Sequence, residues 1–522
     1  MSTNIKIAKA YVILITASVV GSILSLGKEM LVAKYFGISK AMDAFYTALT
    51  IPNSINAITV STFGITFLPI FVQYKTKDKE EANHLASIAI NYMFIFLFLI
   101  AIILFIFSKQ IVTNFFNGLN PETSMLAINI LKILSITMIF TGLVGTITWI
   151  LNAFENFSAP SFSQMFITIS IITFIFFFTK SMGVYIFAWG TLAGLFIQFV
   201  FLLPFLKRKG YKHYFDFNIR HPAMKKTLNF SLTFFLLGVI SSLTAIINRS
   251  MASWLPSGSI AALGYADKLV QVPLVIFSGS IATAIYPFFA SQFAENKIED
   301  MKDTLATSIK MTGFIFIPLA VVMIILSKPT IQALFQRGVF DEHATNLTSI
   351  IFICYTLQLF SNFAVVVMAR LLLVFQDMLS YVKITITGIV LTVILNFIFI
   401  KTVNPPAAGI ALSTSLVCLI TAILYFIYLK KKIHNLHGIS ILKSLSKTTF
   451  FAIISGIIIF VVFRELNALI PKISLFNRLF KIICSASIGM ASFIAISFLL
   501  KFEEADKIYK LVKTKIRSFV KR

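Results

Sequence analysis

Charged side chains inside otherwise apolar stretches are the residues of this sequence best suited to chemistry. Seven of them stand out: Lys28, Glu29, Asp43, Arg249, Asp267, Lys268 and Arg370. A charge at the centre of a bilayer costs roughly 2.5–3.5 kcal/mol on insertion scales, so such side chains normally face a cavity or a partner. A cavity lined by the basic members would attract an anion, with phosphate or pyrophosphate as the natural candidate. The alternative is that these charges pair with one another and only hold helices together.

The sequence has none of the short motifs that mark common catalytic sites. It contains no GxxxxGK[ST] phosphate loop, no HExxH and no GxSxG. The three cysteines lie far apart inside apolar runs, which indicates neither a disulfide framework nor a zinc site. We therefore expect a protein that is not an enzyme and has no cofactor or metal. An ion gradient or the membrane potential, rather than bound ATP, is its expected source of energy.

Membrane-spanning helices must position the charged residues. Apolar residues make up 58% of the chain and charged residues only 12%, against about 25% charged in an ordinary soluble protein. Fourteen apolar segments are long enough to cross a bilayer, and the first is interpreted as an uncleaved helix. They cover residues 10–36, 42–72, 86–107, 124–154, 161–180, 183–205, 226–253, 258–291, 306–326, 343–375, 380–400, 407–428, 447–465 and 478–500. The sequence predicts an all-α polytopic membrane protein.

The loop charges indicate how the chain is oriented. If the N-terminus is cytoplasmic, the loops on that side hold 29 of the 45 Lys and Arg residues, and the outer loops hold 10. Cytoplasmic loops of membrane proteins collect Lys and Arg, so both termini are expected inside. The same rule explains the formal net charge of +25. No nucleic-acid partner is expected, because there is no basic soluble domain to carry one.

A basic connector at residues 206–225 divides the predicted spans into six before it and eight after it. We expect an N-terminal lobe over residues 1–205 and a C-terminal lobe over residues 226–428. Two additional spans follow within residues 429–500. Two equal bundles of this kind are common in transporters, where they rock around a site near the bilayer midplane.

The tail at residues 501–522 has a different pattern from the spans. Apolar residues recur in it at helical spacing, and lysines occupy much of the remainder. This pattern predicts an amphipathic cytoplasmic helix that lies on anionic lipids of the inner membrane surface. A helix that binds a partner protein is the alternative.

Short motifs surround the charged residues of the first two spans. The segment KEMLVAKYFG at residues 28–37 is similar to R-D-x-x-V-A-x-x-F-G. The segments MDAF at 42–45 and IPN at 51–53 are similar to D-A-F and L-P-N. These patterns occur in the MurJ (MviN) family of lipid II flippases, in a superfamily that also contains multidrug exporters and polysaccharide flippases.

Three further motifs extend the resemblance over roughly residues 10–430. The segment LGYADKLVQVP at 263–273 resembles Y-A-D-R-L-x-x-x-P, and FQRGVFD at 335–341 resembles F-Q-R-G-x-F-D. The segment from Arg370 to Ile384 resembles A-R…D-T-x-T-P-V-K-I. The resemblance implies two six-helix lobes in a V shape, alternating access, and a groove for the lipid tail formed by the last two helices. It also implies a cationic cavity for the pyrophosphate and sugar head group.

The residues expected to bind the substrate follow from matched motif positions, with Arg249 added because it lies inside an apolar span. They are Lys28, Glu29, Asp43, Asn56, Arg249, Asp267, Lys268 and Arg370. Lysine replaces the family's arginine at Lys28 and Lys268, which keeps the charge but loses the bidentate fork. Ser22 and Asn56 stand where family members carry arginine, so the expected cavity is less basic.

These features predict a flippase for a lipid-linked peptidoglycan precursor in the bacterial plasma membrane. The predicted substrate is a polyprenyl-pyrophosphate-linked glycan, and the predicted protein is a monomer located near cell-wall synthesis enzymes. One alternative is a flippase for another polyprenyl-linked oligosaccharide of capsule, teichoic or O-antigen type. Another is an ion-coupled exporter of small molecules, and a membrane scaffold is a third.

Overall fold

The computed structural model describes residues 3–218, 220–471, 474–507 and 509, and within these it does not describe the side chains of 3–12, 15, 61, 233, 234 and 278–284. The described residues form eighteen α-helices. They are α1 (Thr3–Phe36), α2 (Lys40–Lys77), α3 (Lys79–Ile106), α4 (Ser108–Phe115), α5 (Pro121–Ala153), α6 (Ser158–Ser163), α7 (Met165–Met182), α8 (Tyr185–Arg208), α9 (Pro222–Ala252), α10 (Ser259–Ala294), α11 (Ile298–Ile325), α12 (Ser327–Leu334), α13 (Glu342–Thr356), α14 (Leu359–Val374), α15 (Met378–Thr402), α16 (Pro406–Ile433), α17 (Gly438–Leu469) and α18 (Leu475–Leu499).

Fourteen stretches of these helices are long and apolar enough to cross a membrane. The predicted all-α fold with fourteen spans is therefore confirmed. Two of the spans are each built from two helices, α6 with α7 and α13 with α14. The short helices α4 and α12, of eight residues each, were not predicted. They are amphipathic and too short to produce the long apolar run by which a span is recognised.

The helix order of the first half recurs in the second half. Helix α2 begins at Lys40 and α10 at Ser259, which is 219 residues later. Helices α4 and α12 begin at Ser108 and Ser327, with the same separation, and so do α3 and α11. Parallel repeats of this kind are common in transporters. The repeat supports two related bundles, while the exact lobe boundaries stay a prediction.

The helices form two compact units. The first comprises Met1–Gly264 with Arg337–Asp341, and the second comprises Tyr265–Gln336 with Glu342–Arg522. In the first unit, α2 packs on α5 and α9, and Phe63, Phe67 and Phe71 stack along one face of α2 with ring centroids 5.2 and 5.3 Å apart. Their spacing of four residues places them one above the other on the helix, where they form part of the unit's core.

The chain between α8 and α9 packs along α3. The Asn91 side-chain amide donates to the carbonyl oxygens of Tyr214 and Asp216 at 3.1 and 3.0 Å. The hydroxyls of Ser87 and Tyr211 lie 3.0 Å apart, and burial raises the pKa of Tyr211 to about 12. The predicted basic connector is thus fixed to the first unit by polar side chains of α3.

The described start of the C-terminal tail packs into the second unit. Phe502 and Ala505 are buried in a cluster with Phe314, Ala452 and Phe493. Residues 508 and 510–522 lie outside the described residues, and so does most of the predicted amphipathic helix at 501–522. The buried start of the tail shows that its first residues belong to the core of the unit.

Candidate functional site

Five polar side chains in the first unit form the structure's best candidate site. We call Lys28, Glu29, Asp43, Tyr46 and Arg249 the polar cluster. Helix α1 contributes the first two, α2 contributes Asp43 and Tyr46, and the last turn of α9 contributes Arg249. The cluster thus contains four of the sequence-predicted site residues, together with one that was not predicted.

An ion pair connects two neighbours on α1. The Lys28 Nζ atom lies 2.8 Å from Glu29 Oε1, and the side chains are 15% and 3% exposed. The hydroxyl of Tyr46 donates to the other oxygen of Glu29 at 3.5 Å, which is at the long limit for a hydrogen bond. The arrangement gives the buried carboxylate a cation and a hydroxyl donor, which offset the cost of burying a charge.

Arg249 reaches the same tyrosine from α9. Its guanidinium carbon lies 5.6 Å from the centroid of the Tyr46 ring, within the usual range of a cation–π contact. Its Nη1 atom donates to the carbonyl oxygen of Ile260 at 3.0 Å. A guanidinium has five N–H donors, so these two contacts leave donors that a ligand phosphate would be able to use.

Asp43 is held by the beginning of α10. Its two carboxylate oxygens accept the backbone N–H groups of Gly258 at 2.5 Å and Ala261 at 2.7 Å. Helix N-termini present unpaired N–H groups and a positive dipole end, which explains why a buried carboxylate is stable here. The geometry gives Asp43 a structural role as the cap of α10, and its predicted contact with substrate stays a prediction.

The formal charges of the polar cluster balance. Lys28 and Arg249 carry positive charges, and Glu29 and Asp43 carry negative ones. A phosphate ligand would have to compete with Glu29 for Lys28, which further reduces the positive charge available in a site that the sequence already predicted to be less basic than the family's. Among the described residues, no group of three or more His, Cys, Asp or Glu side chains is placed to hold a metal ion.

Asn56 lies further along α2 than Asp43 and Tyr46. Its side-chain oxygen is buried and has no hydrogen-bond partner among the described residues. A buried acceptor without a partner costs about 1–3 kcal/mol. A donor from a ligand or a water molecule would remove that cost, which supports the sequence-based choice of this residue without testing it.

The other predicted site residues belong to the second unit. Asp267 and Lys268 are half-buried neighbours on α10, and the side chain of Gln271 donates to Asp267 Oδ1 at 3.3 Å. Arg370 is half-buried on α14. The structure thus divides the eight predicted residues between the two units, five in the first and three in the second.

Tyr46 was missed in the sequence analysis. It follows Asp43 by three residues, so the two side chains lie on the same face of α2, and this spacing was the available signal. The approach of α10 also depends on Gly264, since a Cβ atom there would lie 2.9 Å from the Tyr46 ring. A residue that joins three helices can be identified only when those helices are placed together.

The motif FQRGVFD has a packing role that the sequence did not reveal. Gly338 has a φ of +58°, and a Cβ atom there would lie 2.2 Å from the carbonyl oxygen of Lys34. The amide of Val339 donates to the same oxygen at 3.1 Å. The motif therefore satisfies a carbonyl at the C-terminal end of α1, the helix that carries Lys28 and Glu29.

The sequence matches a known protein family and its members. The family model for the lipid II flippase MurJ matches residues 32–480. A probable lipid II flippase MurJ of Buchnera aphidicola is 28% identical over 442 residues, which cover 82% of this chain and 84% of the relative.

Two solved structures have a similar fold. A lipid II flippase MurJ in an inward closed conformation aligns with a TM-score of 0.75 at 24% identity, over 94% of this chain and 99% of that one. An inward-facing multidrug resistance MATE family transporter of the MOP superfamily aligns with a TM-score of 0.68 at 17% identity, over 82% of this chain and 99% of that one. Because the family model spans most of the sequence, including helix α2 with Asp43 and Tyr46, this multi-pass membrane chain belongs to the lipid II flippase MurJ family.

Proposed function

We propose that this chain moves lipid II from the inner to the outer leaflet by alternating access. The match of the family model over residues 32–480 carries the proposal. The fold supports it, because fourteen spans in two repeated halves are suited to a transporter that rocks around a midplane site.

Within the first unit, we assign the head group's phosphates to Lys28 and Arg249. Both are charged, both lie in candidate spans, and Arg249 has guanidinium donors beyond the one used by Ile260. In the second unit, Lys268 and Arg370 are the corresponding basic candidates. Asp43 serves this site indirectly, because it fixes the start of α10.

The test is to deplete the protein in its own host and identify the lipid-linked intermediate that accumulates. We expect lipid II to accumulate on the cytoplasmic side, where a membrane-impermeant reagent cannot reach it. Re-expression of the wild type should clear it, and Lys28→Ala at the same protein level should not. Unchanged lipid II in the depleted cells would contradict the proposal.

A flippase for another polyprenyl-linked oligosaccharide is the second candidate. The balanced charge of the polar cluster supports it, since the cluster is less basic than the lipid II flippase motifs imply. The depletion experiment separates the two candidates, because a capsule, teichoic or O-antigen precursor would accumulate in place of lipid II. An ion-coupled exporter would cause neither precursor to accumulate.

We further propose that both termini are cytoplasmic in the bacterial plasma membrane and that the protein is a monomer near cell-wall synthesis enzymes. The excess of basic residues in the loops on one side supports the orientation.

The orientation is tested by cysteine labelling. After the three native cysteines are replaced, single cysteines at 327–342 and 466–477 should react with an impermeant thiol reagent in intact cells. Cysteines within 206–225 should react only after the cells are opened, and reaction in intact cells would reverse the orientation.

A further inference from the structure

A cavity of about 710 Å³ lies in the second unit where α16 ends and α17 begins. We call it the lysine cavity, because five lysines from four parts of the chain line it. They are Lys310, Lys430, Lys443, Lys447 and Lys501. None of the residues predicted to bind substrate lines it, so it is separate from the polar cluster.

The first turn of α17 forms one wall of the lysine cavity. Gly438, Ile439 and Ser440 line the cavity, and the His437 side chain makes no capping hydrogen bond to this turn. The first N–H groups of a helix have no partner within the helix, and the dipole makes that end positive. Phosphates and other anions bind readily at such a terminus.

Two lysines of α17 line the lysine cavity from one face of that helix. Lys443 and Lys447 are four residues apart, so they project on the same side of the helix, above the first turn. Lys447 donates to the carbonyl of Leu500 at 3.2 Å and lies 3.9 Å from the Phe502 ring centroid. Lys443 has no ion pair with an acidic side chain in the described part of the chain, and the same holds for Lys430 on α16.

Acidic side chains of the lysine cavity are fewer and already engaged. Glu504 is buried and accepts from the Ser444 hydroxyl at 2.7 Å. Glu503 lies 3.8 Å from Lys310, which donates to the Ser440 hydroxyl at 2.7 Å. Five lysines thus face two glutamates in the lining of the cavity. The cavity is therefore electropositive.

We propose that the lysine cavity binds a phosphate-bearing anion. Lys430 of α16 and Lys443 of α17 donate to its oxygens, and so do the amides at the start of α17. Ammonium groups and helix-terminal amides form strong charge-assisted hydrogen bonds to phosphate. The anion is the headgroup of an acidic membrane phospholipid or a soluble phosphate. A bound phosphate joins α16 to α17, and this site does not depend on which lipid the protein transports.

The experiment measures binding of two probes to the full-length purified protein. Phosphatidylglycerol is titrated into protein held in zwitterionic lipid, and bound lipid is counted by native mass spectrometry. Inorganic phosphate is titrated separately, and protection of Lys430 and Lys443 from an amine-reactive reagent is read from peptides. In the double variant Lys430→Ala/Lys443→Ala, affinity should fall by about tenfold or more, because each lysine near a charged lipid surface contributes about 1 kcal/mol.

The matched control is Lys225→Ala/Lys226→Ala, which removes two exposed lysines at the start of α9 and the same net charge. Loss in the cavity variant alone supports the site. Binding of phosphatidylglycerol without phosphate protection identifies a lipid headgroup, and protection by phosphate identifies a soluble ligand. Equal loss in both variants, or no loss in either, overturns the proposal. If the double variant unfolds, Lys443→Gln, which keeps most of the side chain, replaces it in the same comparison.

Discussion

The carboxylate of Asp43 accepts the backbone amide of Ala261 at 2.7 Å, although 218 residues separate the two in sequence. Its second oxygen accepts the amide of Gly258. A side chain of α2 therefore caps α10, a helix that begins far away in the chain. This contact fixes the start of α10 beside Tyr46. One turn later, Gly264 lies so close to the tyrosine ring that an added Cβ atom would be 2.9 Å from it.

Replacing Asp43 by alanine should destabilise the protein. Two buried amides would lose their acceptor, and each unsatisfied buried donor costs about 1–3 kcal/mol. Asp43→Asn keeps one oxygen acceptor and should lose less. The measurement is the midpoint of thermal unfolding in detergent, with transport measured in parallel. A normal unfolding midpoint combined with lost transport in Asp43→Ala would show that Asp43 contacts substrate instead.

Replacing Gly338 by alanine should disturb the end of α1. The new Cβ would lie 2.2 Å from the carbonyl oxygen of Lys34, and the φ of +58° is unfavourable for alanine. We expect a loss of more than about 1 kcal/mol in stability, together with reduced transport. Gly27→Ala within α1 is the control, since a Cβ atom there would have no neighbouring atom within 4 Å. It should be neutral or slightly stabilising, and equal effects of both changes would contradict this account.

The sequence predicted the spans well and the contacts poorly, for a physical reason. A span is a local property, because some twenty apolar residues are recognisable wherever they occur. The cap of α10 by Asp43 and the stacking of Arg249 on Tyr46 are contacts between distant segments. Lys28 and Arg249 stood out because a charge within a span is unusual. Tyr46 did not stand out, because a tyrosine within a span is not.

The start of the C-terminal tail should be required for folding, while the last residues should not. Phe502 is 2% exposed, and alanine there would leave a cavity that costs about 3–5 kcal/mol. Leu499 is 80% exposed and serves as the control, since Leu499→Ala removes little packing. Truncation after Tyr509 should leave the unfolding midpoint unchanged, and truncation after Leu500 should lower it. Equal midpoints for the two truncations would show that Phe502 contributes nothing to the core.

Asp377, which lies between α14 and α15, should stabilise the protein in a pH-dependent manner. A hydrogen bond from Lys432 at 2.8 Å and a second from Tyr428 hold the pKa of Asp377 below its usual value of 3.8. A carboxylate with a lowered pKa stabilises the folded state fully above the unfolded-state pKa, and this contribution is lost progressively as the pH falls from that value through the folded-state pKa. Asp377→Asn should therefore lower the unfolding midpoint near neutral pH, and the difference should shrink steadily as the pH falls below about 4.

The control for Asp377 is a surface ion pair of the first unit. Glu122 lies 3.0 Å from Lys40, but the two side chains are 69% and 52% exposed. Exposed pairs of this kind contribute little to stability. Glu122→Gln should thus leave the unfolding midpoint nearly unchanged at every pH. A pH-independent loss in Asp377→Asn would show that packing, and not its charge, makes Asp377 important.

The pair of Lys28 and Glu29 should separate stability from transport. Lys28→Ala removes the cation that lies 2.8 Å from a carboxylate only 3% exposed, and breaking a buried pair from one side costs about 3 kcal/mol or more. The double variant Lys28→Ala/Glu29→Gln removes the buried charge as well, so its unfolding midpoint should return toward that of the wild type.

Transport should not return in the double variant if Lys28 binds the head group. The lost contact between an ammonium and a phosphate would weaken substrate affinity by about ten- to a hundredfold, and Glu29→Gln cannot replace it. Lys28→Arg keeps the charge and adds a forked donor, so it should remain active. The measurements are the unfolding midpoint and the rate of lipid II translocation for the four variants Lys28→Ala, Lys28→Arg, Glu29→Gln and the double. If transport recovers together with stability in the double variant, Lys28 serves only as the counter-ion of Glu29, and the substrate's phosphates must bind elsewhere.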